Sequence, residues 1–288
     1  MRRLAELEVE EKSITTLTEL TNVFEGLASV RITQIKDQVV QSSKFYHQLW
    51  SIYSQIKVED IFSFGREGKE TEIIDKELYI LITAEGSFSG DIDQKLVQLM
   101  VKDYDKNKND IIVIGHHGAM QLAVAGVNYI KYFKMPSRDN DINVKPIINE
   151  VKKYKSTRIY YQNYVSLFIQ DVKRIDLSKA VNERGEFIHG AEDQLINEKT
   201  YIFEPSTYSL VAHLERSMMQ ITVTQLILES KLAQYASRFQ AMKTAHTRAD
   251  EVRSSLHIEN NQVRRAIKDE RLREITSGLK QAKSKALI

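Results

Sequence analysis

The carboxyl-terminal third of the chain carries a long, regular pattern of apolar positions. From residue 210 to 242, seam positions recur at alternating steps of four and three after the first pair, a spacing typical of a coiled coil. They are Leu210, Leu214, Met218, Ile221, the polar Gln225, Leu228, Leu232, Tyr235, Phe239 and Met242. The pattern continues less regularly to Ile275, with polar Asn260 and Glu270 in its path. We therefore predict one helix over residues 207–288, less tightly paired in its last part.

A similar pattern marks the amino-terminal segment, residues 1–58. Its apolar positions are Leu4, Leu7, Ile14, Leu17, Leu20, Phe24 and Leu27, followed after a slip by Ile32, Ile35, Val39, Tyr46, Leu49, Tyr53 and Ile56. Two helices at opposite ends of a chain pair most simply as an antiparallel coiled coil. Periodicity alone does not separate this arrangement from an ordinary helical bundle, so the bundle stays open at this point.

Residues that break helices are confined to the middle of the chain. All three prolines and nine of the eleven glycines lie between Gly65 and Pro205. This distribution predicts three parts: an amino-terminal coiled-coil helix over 1–58, a central domain over 59–206, and a carboxyl-terminal coiled-coil helix over 207–288.

The central segment has the pattern of an α/β domain. LYILITA (78–84) and DIIVIG (110–115) are short, β-rich apolar runs, and the helical stretch DIDQKLVQLMVKDY follows the first. Residues 158–175 alternate as a half-buried edge strand or a hairpin would, and Ser206 is a candidate N-cap for the last helix. The predicted fold class is mixed α/β: two long terminal helices form an antiparallel coiled coil, with a central Rossmann-like α/β domain.

Composition narrows the classes of function. The chain has no cysteine, which excludes disulfides, thiolate metal sites and cysteine nucleophiles. Its apolar runs are far shorter than the roughly 20 residues that cross a bilayer, and its acidic start is unlike a secretory signal. We therefore expect membrane association only through partners.

Charge is concentrated on the last helix. The whole chain has a net charge of +2, whereas residues 207–288 carry 14 Lys and Arg against 8 Asp and Glu. This excess suits a solvated face, a membrane surface or an acidic protein sleeve. No aromatic residues are interleaved in the basic stretch for stacking, so nucleic acid is disfavoured as a partner.

Two motifs of the central segment could carry chemistry. AEGSFSG (84–90) joins a strand to a helix, but it matches neither glycine-rich nucleotide signature and Glu85 would repel phosphate, so we predict a tight turn. His116 and His117 are expected at the end of a strand, where adjacent side chains point to opposite faces and cannot share an ion. No catalytic, cofactor-binding or metal residue is predicted.

Further motifs run through the chain in a fixed order. YIFEPS (201–206) and RFQAMKTAHTRA (238–249) are followed by Asn261, Arg264, Glu274, Ile275 and Gly278 in an N-x-x-R … E-I-x-x-G spacing. LTNVFEGLASVR (20–31) and LITAEGSFSGDID (81–93) add weaker matches. Together they resemble the gamma subunit of F-type ATP synthases, strongest over residues 201–278. The chain is identified as a divergent member of that family.

Several residues depart from the family's pattern. Arg248 stands where Asn is usual, Arg265 where Gln is usual, and Lys268, Asp269 and Arg271 where Ile, Thr and Glu are usual. Polar contacts that the family makes in this region are therefore expected to differ here.

The resemblance implies a non-catalytic central rotor shaft, which couples ion flow through a membrane rotor ring to ATP synthesis or hydrolysis in the beta subunits. It implies the alpha and beta subunits of the head, the epsilon subunit and the ring of c subunits as partners. It also implies a peripheral position on the cytoplasmic face of a bacterial membrane. The contacts it implies to the head are Arg238, Met242, Asn261, Arg264, Arg265, Glu274, Leu20, Thr21 and Leu27.

Two other functions stay open. A structural adaptor would use the helices to form a parallel dimer that carries an α/β head. An enzyme would need a cleft with convergent polar groups in the central domain, which the sequence does not indicate.

Overall fold

The computed structural model describes residues 4–56, 73–86, 88–139, 142–186 and 207–285. Its elements are, in chain order, α1 (Leu4–Ile56), β1 (Ile74–Ile82), α2 (Ile92–Asp103), β2 (Asn109–Ile114), α3 (His116–Val124), β3 (Lys131–Phe133), α4 (Lys145–Val151), β4 (Tyr154–Tyr164), β5 (Gln170–Asp176), α5 (Leu177–Glu186) and α6 (Thr207–Lys285). They divide between two compact units. The terminal unit comprises Met1–Leu27 and Ala241–Ile288, and the central unit comprises Ala28–Gln240.

Both long helices lie where the sequence predicts them. α1 has 53 residues and α6 has 79. Neither contains proline, and each contains a single glycine, Gly26 or Gly278, so few residues oppose helix formation. The lead-in at 201–206, with the candidate N-cap Ser206, lies outside the described residues. The predicted division at residues 58 and 206 stays a prediction.

The central unit holds a five-stranded sheet in the order β3-β2-β1-β4-β5. β1 is parallel to β2 and β4, β2 is parallel to β3, and β5 is antiparallel to β4. The predicted strands at 78–84 and 110–115 and the hairpin within 158–175 are thereby confirmed. β4 is not an edge strand, because it lies between β1 and β5, and its residues Ile159 and Tyr160 are fully buried.

Helices cover this sheet on both faces, as is usual for parallel sheets. Alternate residues of a strand point to opposite faces. Ile80 and Ile112 therefore pack with α4, α5 and the central-unit parts of α1 and α6. Tyr79 and Leu81 pack with α2 and α3 on the other face. α6 thus contributes to the core of the central unit, where Met218 and Leu226 are fully buried.

The inward face of α1 differs from the predicted seam. Leu17, Leu20, Phe24 and Leu27 were expected to face α6, but they are between 38% and 57% exposed. The buried positions are Leu7, Thr18 and Thr21 in the terminal unit and Ala28, Ile32 and Ile35 in the central unit. Because these positions are separated by three or four residues, or by sums of such steps, the predicted slip before Ile32 is wrong.

Threonine can occupy buried positions of α1 because its hydroxyl is satisfied locally. Thr18 Oγ1 donates to the carbonyl oxygen of Ile14 at 2.9 Å, and Thr21 Oγ1 donates to that of Leu17 at 3.0 Å. A pattern that counts threonine as polar therefore misses this face.

Candidate interaction surfaces

In the terminal unit, the early residues of α1 contact the late residues of α6. Leu7 packs with Leu256 and Val263 in a small apolar cluster. His246 Nδ1 lies 3.1 Å from the carbonyl oxygen of Thr18 and 3.4 Å from Thr21 Oγ1. In the central unit the corresponding cluster is apolar and comprises Ile32, Ile35, Leu228, Leu232 and Ala236. Polar contacts therefore take a larger share of the pairing in the terminal unit.

Two glutamates of α1 pair with side chains of α6. Arg264 donates to Glu8 at 2.8 Å. Glu11 accepts from Asn260 at 2.6 Å and lies 2.8 Å from His257 Nδ1. Hydrogen bonds from His257 and then Asn260 lower the pKa of Glu11. Because Glu8, Arg264 and His257 are each about half or more exposed, their ion pairs favour one alignment of the helices more than they add stability.

Replacing Glu11 by glutamine is expected to lower stability at neutral pH and to have little effect in acid. The pKa of Glu11 is lower in the folded chain than its ordinary value of 4.5, so the ionised carboxylate stabilises the fold above pH 4.5. This stabilisation is lost as the pH falls through the lowered pKa. Urea unfolding of both proteins at neutral pH and at about pH 3 measures the difference, with Glu19→Gln on the same helix as the control. An equal loss at both pH values would contradict the ionic contribution.

A second apolar stripe follows α1, turned roughly 120° from the buried threonines at 100° per residue. We call it the outer face, and its members are Leu17, Leu20, Val23, Phe24 and Leu27, which are between 38% and 58% exposed. Contiguous apolar patches on a protein surface mark sites that a partner covers. Late in α6, Ile258, Leu272, Ile275 and Leu279 are also exposed, each by 58% to 62%.

The predicted head-contact residues fall into two groups. Leu20, Leu27, Asn261, Arg264, Arg265 and Glu274 are exposed, as are the divergent residues Arg248, Lys268, Asp269 and Arg271. Thr21 and Met242 are buried within the chain. Arg238 is half-buried, with its guanidinium 5.1 Å from the centre of the Tyr235 ring. The first group can meet a partner directly, whereas the second contacts its own chain.

The two central histidines lie elsewhere than predicted. His116 and His117 begin α3 instead of ending β2, which stops at Ile114. His117 Nδ1 lies 3.0 Å from Asp93 Oδ2 at the start of α2. Within the described ranges, no group of three or more His, Asp or Glu side chains is placed to hold a metal ion.

Asp93 is buried at the carboxyl end of the parallel strands, with 2% of its surface exposed. It accepts a hydrogen bond from the amide of Ala84 at 3.2 Å and one from Gln162 Nε2 at 2.6 Å. Burial raises the pKa of Asp93, although these bonds and His117 oppose the rise. Each polar group of the cluster is therefore satisfied by another part of the fold.

The segment 84–90, of which Ser87 lies outside the described residues, contacts other parts of the fold. Glu85 accepts from the hydroxyl of Tyr132 at 3.2 Å and from the amide of Met135 at 3.1 Å. Ser237 on α6 donates to the carbonyl oxygen of Ser89 at 2.6 Å. These contacts attach Glu85 to β3 and Ser89 to α6, and the tight turn over 84–90 stays a prediction.

These features are typical of a subunit of a larger assembly: in chain order, an α/β domain lies between two long helices, and α1 has an exposed apolar face. In the part of the chain that the structure describes, no helix is both long and apolar enough to cross a membrane. The family model described as ATP synthase matches residues 3–281, so the chain belongs to the ATP synthase family.

Relatives agree along nearly the whole length. An ATP synthase gamma chain of Mycoplasmoides gallisepticum is 23% identical over 289 residues, covering 96% of this chain and 99% of that protein. One from Fusobacterium nucleatum is 26% identical over 291 residues, covering 96% and 99%. The predicted resemblance to gamma subunits, and with it the predicted role of central rotor shaft, is confirmed.

Solved structures share the fold. A chain in the Euglena gracilis mitochondrial ATP synthase, described as OSCP, F1 and c-ring in rotational state 3, has a TM-score of 0.66 and 13% identity, covering 99% of this chain and 97% of that one. A chain in the central stalk and c-ring of the Tetrahymena thermophila mitochondrial enzyme has a TM-score of 0.58 and 16% identity, covering 78% and 99%. The predicted mixed α/β class with long terminal helices is confirmed at this level.

Proposed function

We propose that the terminal helices of this chain turn inside a ring of alternating alpha and beta subunits, while its α/β domain contacts the epsilon subunit and the ring of c subunits. Ion flow through the c ring would rotate the chain, and the rotation would change the conformations of the beta subunits, where ATP is made or hydrolysed. The chain itself is non-catalytic in this scheme.

The outer face of α1 is the observation that carries this proposal. Among the described residues, its members Leu17, Leu20, Val23 and Leu27 lie on one side of a long helix and are between 47% and 58% exposed. Apolar contact is non-directional, so such a face can slide against a sleeve as the chain turns. Strong, fixed ion pairs at the same place would resist rotation.

Exposed polar residues of α6 complete the proposed contact with the head. Arg264, Arg265, Asn261 and Glu274 are exposed, and we assign them, with Leu20 and Leu27, to direct contact. Thr21, Met242 and Arg238 would act through the packing of the helices they belong to. The asymmetry of these polar residues would favour closure of one beta subunit at a time.

We also propose that α1 and α6 pair as an antiparallel coiled coil, with helical parts over 1–58 and 207–288 and an α/β domain over 59–206. Leu7 with Leu256 and Ile32 with Leu228 are contacts of the kind that an antiparallel pairing requires. The complex would lie on the cytoplasmic face of a bacterial membrane, where this chain is held only through its partners.

Co-expression with the alpha and beta subunits of the same cell tests the proposal. Purification through a tag on this chain should recover a complex with three copies of each partner, and its ATPase activity should depend on this chain. A stable self-dimer that recovers neither subunit would contradict the proposal and favour the adaptor.

Introducing charge on the outer face is expected to abolish assembly. The double variant Leu20→Asp/Leu27→Asp would bury two carboxylates against the sleeve, at a cost of several kcal/mol each unless they are neutralised. The recovered ATPase activity should fall at least about tenfold, since each 1.4 kcal/mol of lost binding is a factor of ten.

A matched variant distinguishes the effect of disrupting the outer face from the effect of adding negative charge. Asn22→Asp/Ser29→Asp places the same two charges, also seven residues apart, on the exposed polar side of α1. It should assemble as the unmodified chain does. Equal loss in both variants, or normal assembly of both, would contradict the role of the outer face.

A further inference from the structure

The sheet of the central unit has a crevice of the kind that often binds ligands. The chain runs from β1 through α2 to β2, and later returns through α4 to β4 on the other side of β1. Connections thus leave β1 and β4 in opposite directions, and the crevice at their carboxyl ends is the usual ligand site of such sheets. Here side chains of α6 occupy this crevice.

Gln162 on β4 joins both sides of the crevice and is fully buried. Its Nε2 donates to Asp93 Oδ1 at 2.6 Å. Its Oε1 accepts from Gln234 Nε2 at 3.2 Å and from Ser230 Oγ. Gln234 Nε2 also lies 3.2 Å from Ser230 Oγ. One amide therefore connects the start of α2 to two successive turns of α6.

These hydrogen bonds restrict α6 in a way that its apolar contacts do not. The apolar contacts of Leu226 and Ile227 with the core have no strong directional preference. A hydrogen bond does, and a buried polar group left without its partner is unfavourable. Movement of α6 would break both hydrogen bonds that Gln162 Oε1 accepts from Ser230 and Gln234, so the network favours one position of the helix.

We propose that Gln162 is a positioning residue that fixes α6 against the sheet, so that torque entering the α/β domain passes to the terminal helices without slip. This inference rests on the proposed rotor function. Gln162 contacts no reacting group, and it acts through Asp93, Ser230 and Gln234. Its loss should therefore reduce coupling more than ATP hydrolysis.

Complete complexes reconstituted in sealed vesicles test this proposal. ATP hydrolysis and the membrane potential it generates, followed with a potential-sensitive dye, are measured on the same sample. In Gln162→Leu, the potential formed per ATP hydrolysed is expected to fall at least about twofold while hydrolysis continues. The control is Thr157→Val, an isosteric change at a buried position of the same strand. The hydroxyl of Thr157 has no hydrogen-bond partner among the described residues, so this variant should keep the original ratio.

An unchanged ratio in Gln162→Leu would overturn the proposal and leave the network a purely structural role. If that variant does not assemble, Ser230→Ala removes only one hydroxyl, and its ratio decides: a fall supports the proposal and the original ratio overturns it. Vesicles with the unmodified chain that hydrolyse ATP without any potential would instead contradict the proposed function, on which this inference depends.

Discussion

Replacing Gly115 with alanine is expected to lower the free energy of unfolding of the central unit by about 3–5 kcal/mol. Gly115 has a φ of 98°, in the region that favours glycine, and an added Cβ would lie 2.1 Å from the carbonyl oxygen of Thr83. That carbonyl cannot easily withdraw, because Thr83 is fully buried and its amide donates to Ile114 at 2.8 Å. Total stabilities of about 5–15 kcal/mol make this a large loss.

Urea unfolding followed by tryptophan fluorescence measures the effect of Gly115→Ala. Trp50, the single tryptophan of the chain, packs between Tyr46 and Tyr53 in the same unit. Gly126→Ala is the matched control, since Gly126 has a φ of 67° with open space around it, and should cost only about 1–2 kcal/mol. Equal losses would show that the close approach to Thr83 is unimportant.

Replacing Lys231 with methionine is expected to cost about 3 kcal/mol, because it leaves a buried carboxylate without its nearest partner. Lys231 on α6 is 4% exposed, pairs with Asp139, and donates to the carbonyl oxygen of Pro136 at 2.8 Å. Arg31 lies 3.7 Å from Asp139 but is half exposed to water, so it replaces the lysine only in part. Thermal unfolding followed by circular dichroism measures the loss.

A double variant distinguishes the unpaired charge from the loss of lysine itself. Lys231→Met/Asp139→Leu removes both charges and should recover most of the stability, since apolar replacements of buried pairs are often neutral. The two side chains do not act as a pair if Asp139→Leu lowers the stability of the Lys231→Met variant as much as it lowers that of the unmodified chain.

The fold could be predicted where local pattern and final burial coincide. The runs that contain Ile80 and Ile112 are continuously apolar because the sheet is covered on both faces, and their order along the chain made a parallel sheet the natural prediction. α6 was predictable for a similar reason. Its seam residues Leu214, Met218, Leu228 and Leu232 are buried in the central unit.

The interaction surface was harder to predict, because an apolar pattern does not show whether the same chain or a partner covers the side chains. Leu20 and Leu27 have the spacing of a seam, yet they lie on the outer face, and the inward position between them is taken by Thr21. A regular series through Thr18, Thr21 and Ala28 was visible only if threonine is accepted as a seam residue. Gln162 and Asp93 lie 69 residues apart, so their contact depends on tertiary structure.

Rotation of this chain within the assembled head tests the central claim most directly. Because the chain has no cysteine, a single cysteine introduced at exposed Lys106, in the turn between α2 and β2, can carry a visible probe. With the head fixed to a surface through its beta subunits, ATP should drive continuous rotation of the probe in one direction. A probe that remains stationary relative to the head while ATP is hydrolysed at the normal rate would contradict the account.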